Sequence, residues 1–486
     1  MQAINRLLGD MDREALAFLI TRQSNAGQRE HKLWRQLTMT GKAESLEQKL
    51  KSWKNPVEML RNSQTGPYIF PISPEFSNWR DEQEAWLRTA VLFDLSKHMT
   101  DIYFEGPDLM RLLESVAVNS FKTFGPNKAK QIVCCNEEGF VIGDAILFGL
   151  AENRVNISGR PSVPNWVAYH AETGEYDVTV SRDNRSVQNE SGRRTYRYQI
   201  QGPCAVAILE AATGSALPPI KFFNIGEVTI AGKTVNALNH GMARSQGLEL
   251  FGPAEDGEVV RAALIEAGES HGLKEAGARA YSTVSPESGW IPSPTPAIYT
   301  DSMKAYREWL PEDGFEANAS LGGSFYSDNI EDYYQTPWDL GYGRHVKFDH
   351  DFIGRKSLEK IADEPHRQKV WLVWNDEDVI RILASMFGSG DRYKYLEAPG
   401  SHYAACPFDK VLVDGELVGL STYSCYTTNV RAWFSLAMVD EAQAVDGAEV
   451  TLVWGEEGGG SDKPIVERHV QTEIRATIHT SRPVKE

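Results

Sequence analysis

Residues 100–106 read TDIYFEG and run into Pro107 and the stretch DLMRLLE; residues 195–202 read TYRYQIQG and run into Pro203 and CAVAILE. Each copy is a β-rich run ending in Gly-Pro, followed by an amphipathic stretch that carries Leu109, Leu112 and Leu113 in one case and Val206, Ile208 and Leu209 in the other. Proline is at home at the first helical position, where its missing N–H is unpaired in any case. The pattern therefore predicts strand, tight turn and helix, twice. A chain built from two similar halves has a seam between them, which is a natural place for a ligand.

Working outward from the first copy, the strand at 100–105 and the helix at 107–117 lead to β-rich runs at 131–135, 140–149 and 154–158, a helix at 161–172 and a strand at 176–181. From the second copy, strand 196–201 and helix 203–212 lead to a hairpin over 226–238 turning at Ala231-Gly232, strand 247–251, and a helix over 256–270 stopped by Gly272. Two β-α-β-β-α-β units predict an α+β architecture of ferredoxin-like halves, about 95–185 and 195–290, within a core spanning 56–370. Residues 1–55 are charged and helix-prone and read as an appended helical arm ending at Asn55-Pro56. Residues 291–336, rich in Pro, Gly, Ser and aromatics, read as a long ordered insertion of functional weight. After Lys369, short runs such as VLVDGELVGLSTYS and AEVTLVWG predict an all-β, barrel-like C-terminal domain over 371–486.

At 486 residues the chain is too long for one hydrophobic core. A net charge of −17 argues against nucleic acid or an anionic membrane as partner. No apolar run approaches the roughly 18 residues of a membrane span, and no basic-then-apolar leader opens the chain, so the expected compartment is the cytoplasm. The five cysteines show no metal-ligand spacing, and no metal is expected.

The densest chemistry lies between His240 and Pro294, in HGMARSQGLELFGP and GARAYSTVSPESGWIPSP. Glu249 alternates with Leu248 and Leu250, which reads either as a solvent-facing strand residue or as a ligand. Tyr281 and Trp290 flank a punctuated loop, and serve either packing or chemistry. Arg160, closing VNISGR, could grip a carboxylate with two parallel hydrogen bonds or form a surface ion pair. His98, in FDLSKHM, is a core histidine or a site residue. No phosphate loop or nucleophile elbow is present.

The ordered set VLFDLSKHM, FEGPD, NEEGFVIGDAILFGLAEN, QIQGPCA, GLELFGP, GARAY…ESGW and VKFDHDFIGRKSL resembles the glycine-cleavage T-protein (aminomethyltransferase) family over about residues 56–480. Segments VEMLRNSQTGPYIFP, PEFSNWRDEQ, PNKAKQ, ESGWIPSPTPAIYT, KAYREWLP and NIEDYY are most similar to its aryl O-demethylases of the vanillate, 3-O-methylgallate and syringate type. The resemblance implies a three-domain clover-leaf fold around a central cavity for tetrahydrofolate, the methyl acceptor, with no metal. It implies that Glu249 binds the pterin, that Trp290 stacks on it, and that Gln199 and Ile200 line the same cavity. It further implies Arg160 as partner of the substrate carboxylate, His98 as pocket histidine and Tyr281 as catalytic tyrosine.

Two departures bear on substrate. Phe70 and Leu95 stand where vanillate demethylase has a tyrosine and a glutamine, which makes the pocket wall more apolar and favours a second methoxy group or a halogen on the ring. Gly143-Asp144 replaces an Asp-Asp pair of T-protein itself, which weakens aminomethyl transfer as the activity. Demethylation of a sulfonium or amine donor is a further alternative on the same platform. A non-catalytic folate-binding protein is another, although HDFIGRKSL lacks the reactive cysteine of such relatives.

Overall fold

The computed structural model describes residues 44–63, 70–189, 191–242, 245–292 and 294–483. Strand β1 (Ala90–Asp94) precedes both repeats. The first repeat supplies β2 (Thr100–Glu105), β3 (Ala129–Cys135), β4 (Val141–Ala151), β5 (Arg154–Gly159) and β6 (Thr179–Asp183), in the antiparallel order β3-β4-β5-β2-β6. The second supplies β7 (Thr195–Gln201), β8 (Ile225–Ile230), β9 (Lys233–Leu238), β10 (Gly247–Pro253) and β11 (Leu273–Ala276), in the order β11-β1-β7-β10-β9-β8. Strand for strand the two orders agree, except that β1 is inserted between β7 and β11 and pairs with β11 in parallel. Each half is thus β-α-β-β-β-α-β, one strand more than a ferredoxin-like unit, because all three β-rich runs between the helices enter the sheet.

The paired Gly-Pro turns are real, but each proline sits two residues ahead of its helix, in a turn closed by Leu109 N–H to Gly106 O and by Ala205 N–H to Gly202 O. Glycine is required in both. A Cβ on Gly106 would lie 2.0 Å from Asp177 O, and Gly202 holds φ +130 against Thr89 O.

Alternation along the strands explains how the halves pack. Ile102 and Phe104 of β2 face helices Leu109–Val116 and Ser162–Thr173, whereas Tyr196, Tyr198 and Ile200 of β7 face helices Ala205–Thr213 and Gly257–Gly268. The opposite faces of the two sheets meet each other. Phe148 of β4 packs edge-on to Phe251 of β10 at 5.4 Å between centroids, and Tyr103 and Thr195 hydroxyls bond at 2.8 Å.

Short strands β12 (Leu321–Gly322) and β14 (Cys406–Pro407) pair in parallel and tie the insertion to the C-terminal region. There β13 (Gln368–Trp374), β15 (Asp409–Val413), β16 (Glu416–Thr427), β17 (Ala432–Val439), β18 (Glu449–Trp454) and β19 (Thr472–His479) close an all-antiparallel barrel, with one helix, Asp376–Ala384, after its first strand. Of the insertion, Tyr299, Tyr306, Tyr333 and Leu310 are buried in the main core. Most of the N-terminal arm lies outside the described residues. Its end, helix Leu46–Leu50, docks on the insertion through Leu46 N–H to Leu310 O and through the Arg307–Glu47 ion pair at 2.7 Å.

Candidate active site

A cavity of about 460 Å³ lies between the inner sheet faces and is closed on one side by the barrel. Seven of the nine sequence candidates line it: Phe70, Leu95, His98, Arg160, Glu249, Tyr281 and Trp290. Gln199 and Ile200 do not. Strand alternation sends the Ile200 side chain into the apolar core behind the second sheet. Gln199 lies on the cavity side but fully buried, donating to Gln201 Oε1 and His240 O at 2.9 Å, so it backs the wall rather than forming it.

Glu249 is 4 % exposed, and it faces the first half rather than solvent because the two sheets cover each other. Its Oε1 accepts from Arg197 Nη1 at 2.7 Å. Arg197 also donates to Asp101 Oδ1 at 3.0 Å and Asn156 Oδ1 at 2.8 Å across the seam, and its guanidinium lies 4.3 Å from the Phe148 ring centroid. A buried carboxylate is tolerable only when paired in this way. Among the described residues, no hydrogen bond reaches Glu249 Oε2, the other oxygen of a group lining the cavity.

Trp290 follows Gly289, which ends helix Val284–Ser288 in the left-handed conformation at φ +78. A Cβ there would lie 2.4 Å from the Trp371 ring. The indole is then pinned by Nε1–H donating to Asp144 Oδ2 at 3.2 Å, an oxygen that also accepts from Gln131 at 2.8 Å. Burial pushes the Asp144 carboxyl above its ordinary range, against the pull of Gln131, Trp290, Tyr342 and Lys369.

In the same cavity, Tyr281 Oη and His98 Nε2 are 3.1 Å apart, and Phe70 stands edge-on to both rings at 5.0 and 5.2 Å. Burial pulls His98 down to about 3, helped by the Arg160, Arg185 and Arg193 guanidinium groups. Near neutral pH its imidazole is uncharged, offering one N–H and one lone pair. Arg160, at the end of β5, lines the same space. Apolar walls come from Leu95, Met99 and Phe70, and from Ala404 and Ala405 of the barrel side.

Sequence reasoning did not select Gln131, Asp144, Tyr342, Lys369, His402 or Tyr423 as site residues, yet all reach the cavity. Of the insertion, Pro292 lines it among the described residues. No group of three or more His, Cys, Asp or Glu side chains positioned to hold a metal ion occurs among the described residues. None of the described helices is long and apolar enough to cross a membrane.

Residues 37–294 match the GCVT N-terminal domain, so the match takes in the end of the N-terminal arm. The chain belongs to the GCVT family. It is 50% identical over 439 residues to syringate O-demethylase of Sphingobium sp. (strain NBRC 103272 / SYK-6), covering 90% of this chain and 95% of that protein. It is 30% identical to sesamin methylene transferase of Sinomonas sp. (strain No.22), covering 82% and 86%. Against the aminomethyltransferase of Streptomyces avermitilis identity is 27%, covering 76% and 84%. The crystal structure of the glycine cleavage system aminomethyltransferase T from Bartonella henselae superposes with a TM-score of 0.55 at 17% identity, covering 84% of this chain and 91% of that one, which establishes the fold.

Proposed function

We propose that this chain is a tetrahydrofolate-dependent aryl O-demethylase, which moves the methyl group of a methoxylated aromatic acid to tetrahydrofolate and releases the phenol. One observation carries the reading: a single cavity is lined by a fixed carboxylate, a pinned indole, an arginine and a tyrosine–histidine pair. The 50% identity to a syringate O-demethylase over 439 residues supports it.

The residues fit the folate. Glu249, oriented by Arg197, suits the N–H edge of a pterin, and Trp290 with Phe148 gives flat apolar walls. A volume of about 460 Å³ is that of a small-molecule site. When bound, tetrahydrofolate supplies the secondary amine that accepts the methyl carbon.

The protein's own part is placement and proton delivery. Aryloxide is a poor leaving group, so departure needs a hydrogen bond or proton at the ether oxygen, aligned with the attacking nitrogen. Tyr281 carries that proton; its side chain is itself a phenol, of the same kind as the leaving group. His98, kept neutral, orients the hydroxyl without competing as a cation. Arg160 anchors the carboxylate. The apolar wall of Phe70 and Leu95 favours a ring bearing a second methoxy group, of the syringate kind, over 3-O-methylgallate. A small amine donor would leave this wall and Arg160 without a role.

Equilibrium titration tests the reading. Tetrahydrofolate and syringate are expected to bind together, each without displacing the other. Mutual displacement, or no affinity for tetrahydrofolate, contradicts it.

A further inference from the structure

Among the described residues that line the cavity, the exposed ones are Phe222, Gly241, Gly341 and Arg344, and they mark where it meets solvent. Phe222 is 69 % exposed, with its ring centroid 4.7 Å from that of Phe223. The lip that carries it is fixed by its neighbour. Phe223 keeps the left-handed conformation at φ +56, its N–H donates to Asn239 O, and its carbonyl accepts from Ala129 N–H, both at 2.8 Å. An aromatic ring held at an opening suits a flat ligand that passes through it.

Arg344 stands at the same opening for a local reason. Tyr342 and Val346 are both buried, so the single turn between them, Gly343–His345, pushes Arg344 into solvent. Its Nε–H donates to His345 Nε2 at 3.4 Å. Lys130 and Lys347 stand near the same imidazole, which burial and these three cations together pull down to about 4. Lys130 directly precedes Gln131 of the cavity wall; half-buried, its ammonium is pulled down by burial and by Lys128, a penalty that a nearby anion would relieve. Among the described residues none of the three makes an ion pair. In a chain whose 67 acidic residues outnumber its 50 basic ones, cations gathered without acids beside one opening form a local field that attracts an anion.

Tetrahydrofolate has the matching order of parts: a pterin, an aminobenzoyl ring, then a glutamate, to which further γ-linked glutamates each add one carboxylate. With the pterin inside, against Glu249 and Trp290, the ring and the glutamate must pass the opening. We infer that this opening is a binding site for a γ-linked oligoglutamate tail, with Phe222 against the aminobenzoyl ring and Arg344, Lys130 and Lys347 pairing with successive carboxylates. The inference rests on the proposed function. It separates two anion sites: Arg160, within the cavity, takes the aromatic acid, and the cations at the opening take the tail of the methyl acceptor.

The test titrates wild type and a triple variant, Arg344→Gln with Lys130→Gln and Lys347→Gln, with tetrahydrofolate monoglutamate, its pentaglutamate and syringate. An exposed ion pair gives up to about fivefold in affinity, so wild type is expected to bind the pentaglutamate about tenfold or more tighter than the monoglutamate at low salt. In about 1 M salt, where screening acts within about 3 Å, that gap closes. In the triple variant it shrinks to about twofold at low salt, while the syringate Kd moves by less than about twofold, because Arg160 is untouched. Equal Kd for the two folates in wild type, a gap that survives the variant or high salt, or a syringate Kd that rises as much as the pentaglutamate's overturns the inference. If any of these comes with wild-type demethylation intact, the proposed function stands and only the tail site falls. A wild type without affinity for either folate overturns both.

Discussion

Arg197 Nη1 donates to Glu249 Oε1 at 2.7 Å, and the same guanidinium reaches Asp101 and Asn156 on the facing sheet. The Glu249 carboxylate and the seam between the halves are thus held by one side chain. Arg193 extends the network, bonding Asp101 and lying 3.6 Å from Asp183. Replacing Glu249 with Gln leaves Arg197 paired with Asp101, so the fold survives. Tetrahydrofolate Kd is expected to rise about 10- to 100-fold, the loss of a charge-assisted pair, with syringate affinity kept. Arg197→Met strands the Glu249 carboxylate, while Asp101 keeps Arg193, and is expected to cost about 3–5 kcal/mol of stability. Denaturant melts and titrations separate the two effects.

In the proposed reaction Tyr281 acts on the leaving oxygen rather than holding the ring. Tyr281→Phe keeps the ring and its edge contacts with Phe70, Phe93 and His98. The expected result is a kcat lower by about 10²-fold or more with KM within a few fold. Near-normal turnover removes Tyr281 from the chemistry.

His98 titrates near 3 in the folded chain and near 6.5 when unfolded. As pH falls from 6.5, the unfolded chain takes up this proton and the folded chain does not, so the histidine's contribution disfavours the native state progressively, down to about pH 3. The stability difference between wild type and His98→Asn is therefore expected to move against wild type by about 2 kcal/mol between pH 6.5 and 5. The measurement is paired thermal melts at several pH values. A constant gap means that His98 takes up its proton equally in the folded and unfolded chain, with no depression by burial.

Gly289 holds φ +78 with the Trp371 ring where its Cβ would be. Gly289→Ala must shift either Trp371 or the chain that aims Trp290. Folate affinity is expected to fall by about tenfold or more, alongside a stability loss above about 1 kcal/mol. Tryptophan fluorescence and titration report both.

Much of this architecture is legible in the chain itself. The Gly-Pro turns mark both repeats because close backbone approach and positive φ leave only glycine at Gly106 and Gly202. What escaped is long-range. β1 is an apolar run buried on both faces, which period-2 reasoning does not place, and its parallel pairing with β11 joins residues far apart in sequence. Glu249 illustrates the same limit: alternation says it points away from Leu248 and Leu250, but not that another sheet covers that face. The resemblance, rather than periodicity, singled it out. Lys369 and His402 enter the cavity from the C-terminal region, and nothing local marks them.

The proposed reaction is a carbon transfer between two molecules held in one cavity. Incubation of the purified protein with tetrahydrofolate and syringate carrying ¹³C-labelled methoxy groups, followed by mass detection, tests it directly. The account predicts labelled methyltetrahydrofolate in equal amount to the O-demethylated phenol, and none with Tyr281→Phe over a few wild-type turnover times. Phenol without labelled methyltetrahydrofolate, or no product while both ligands bind, contradicts it.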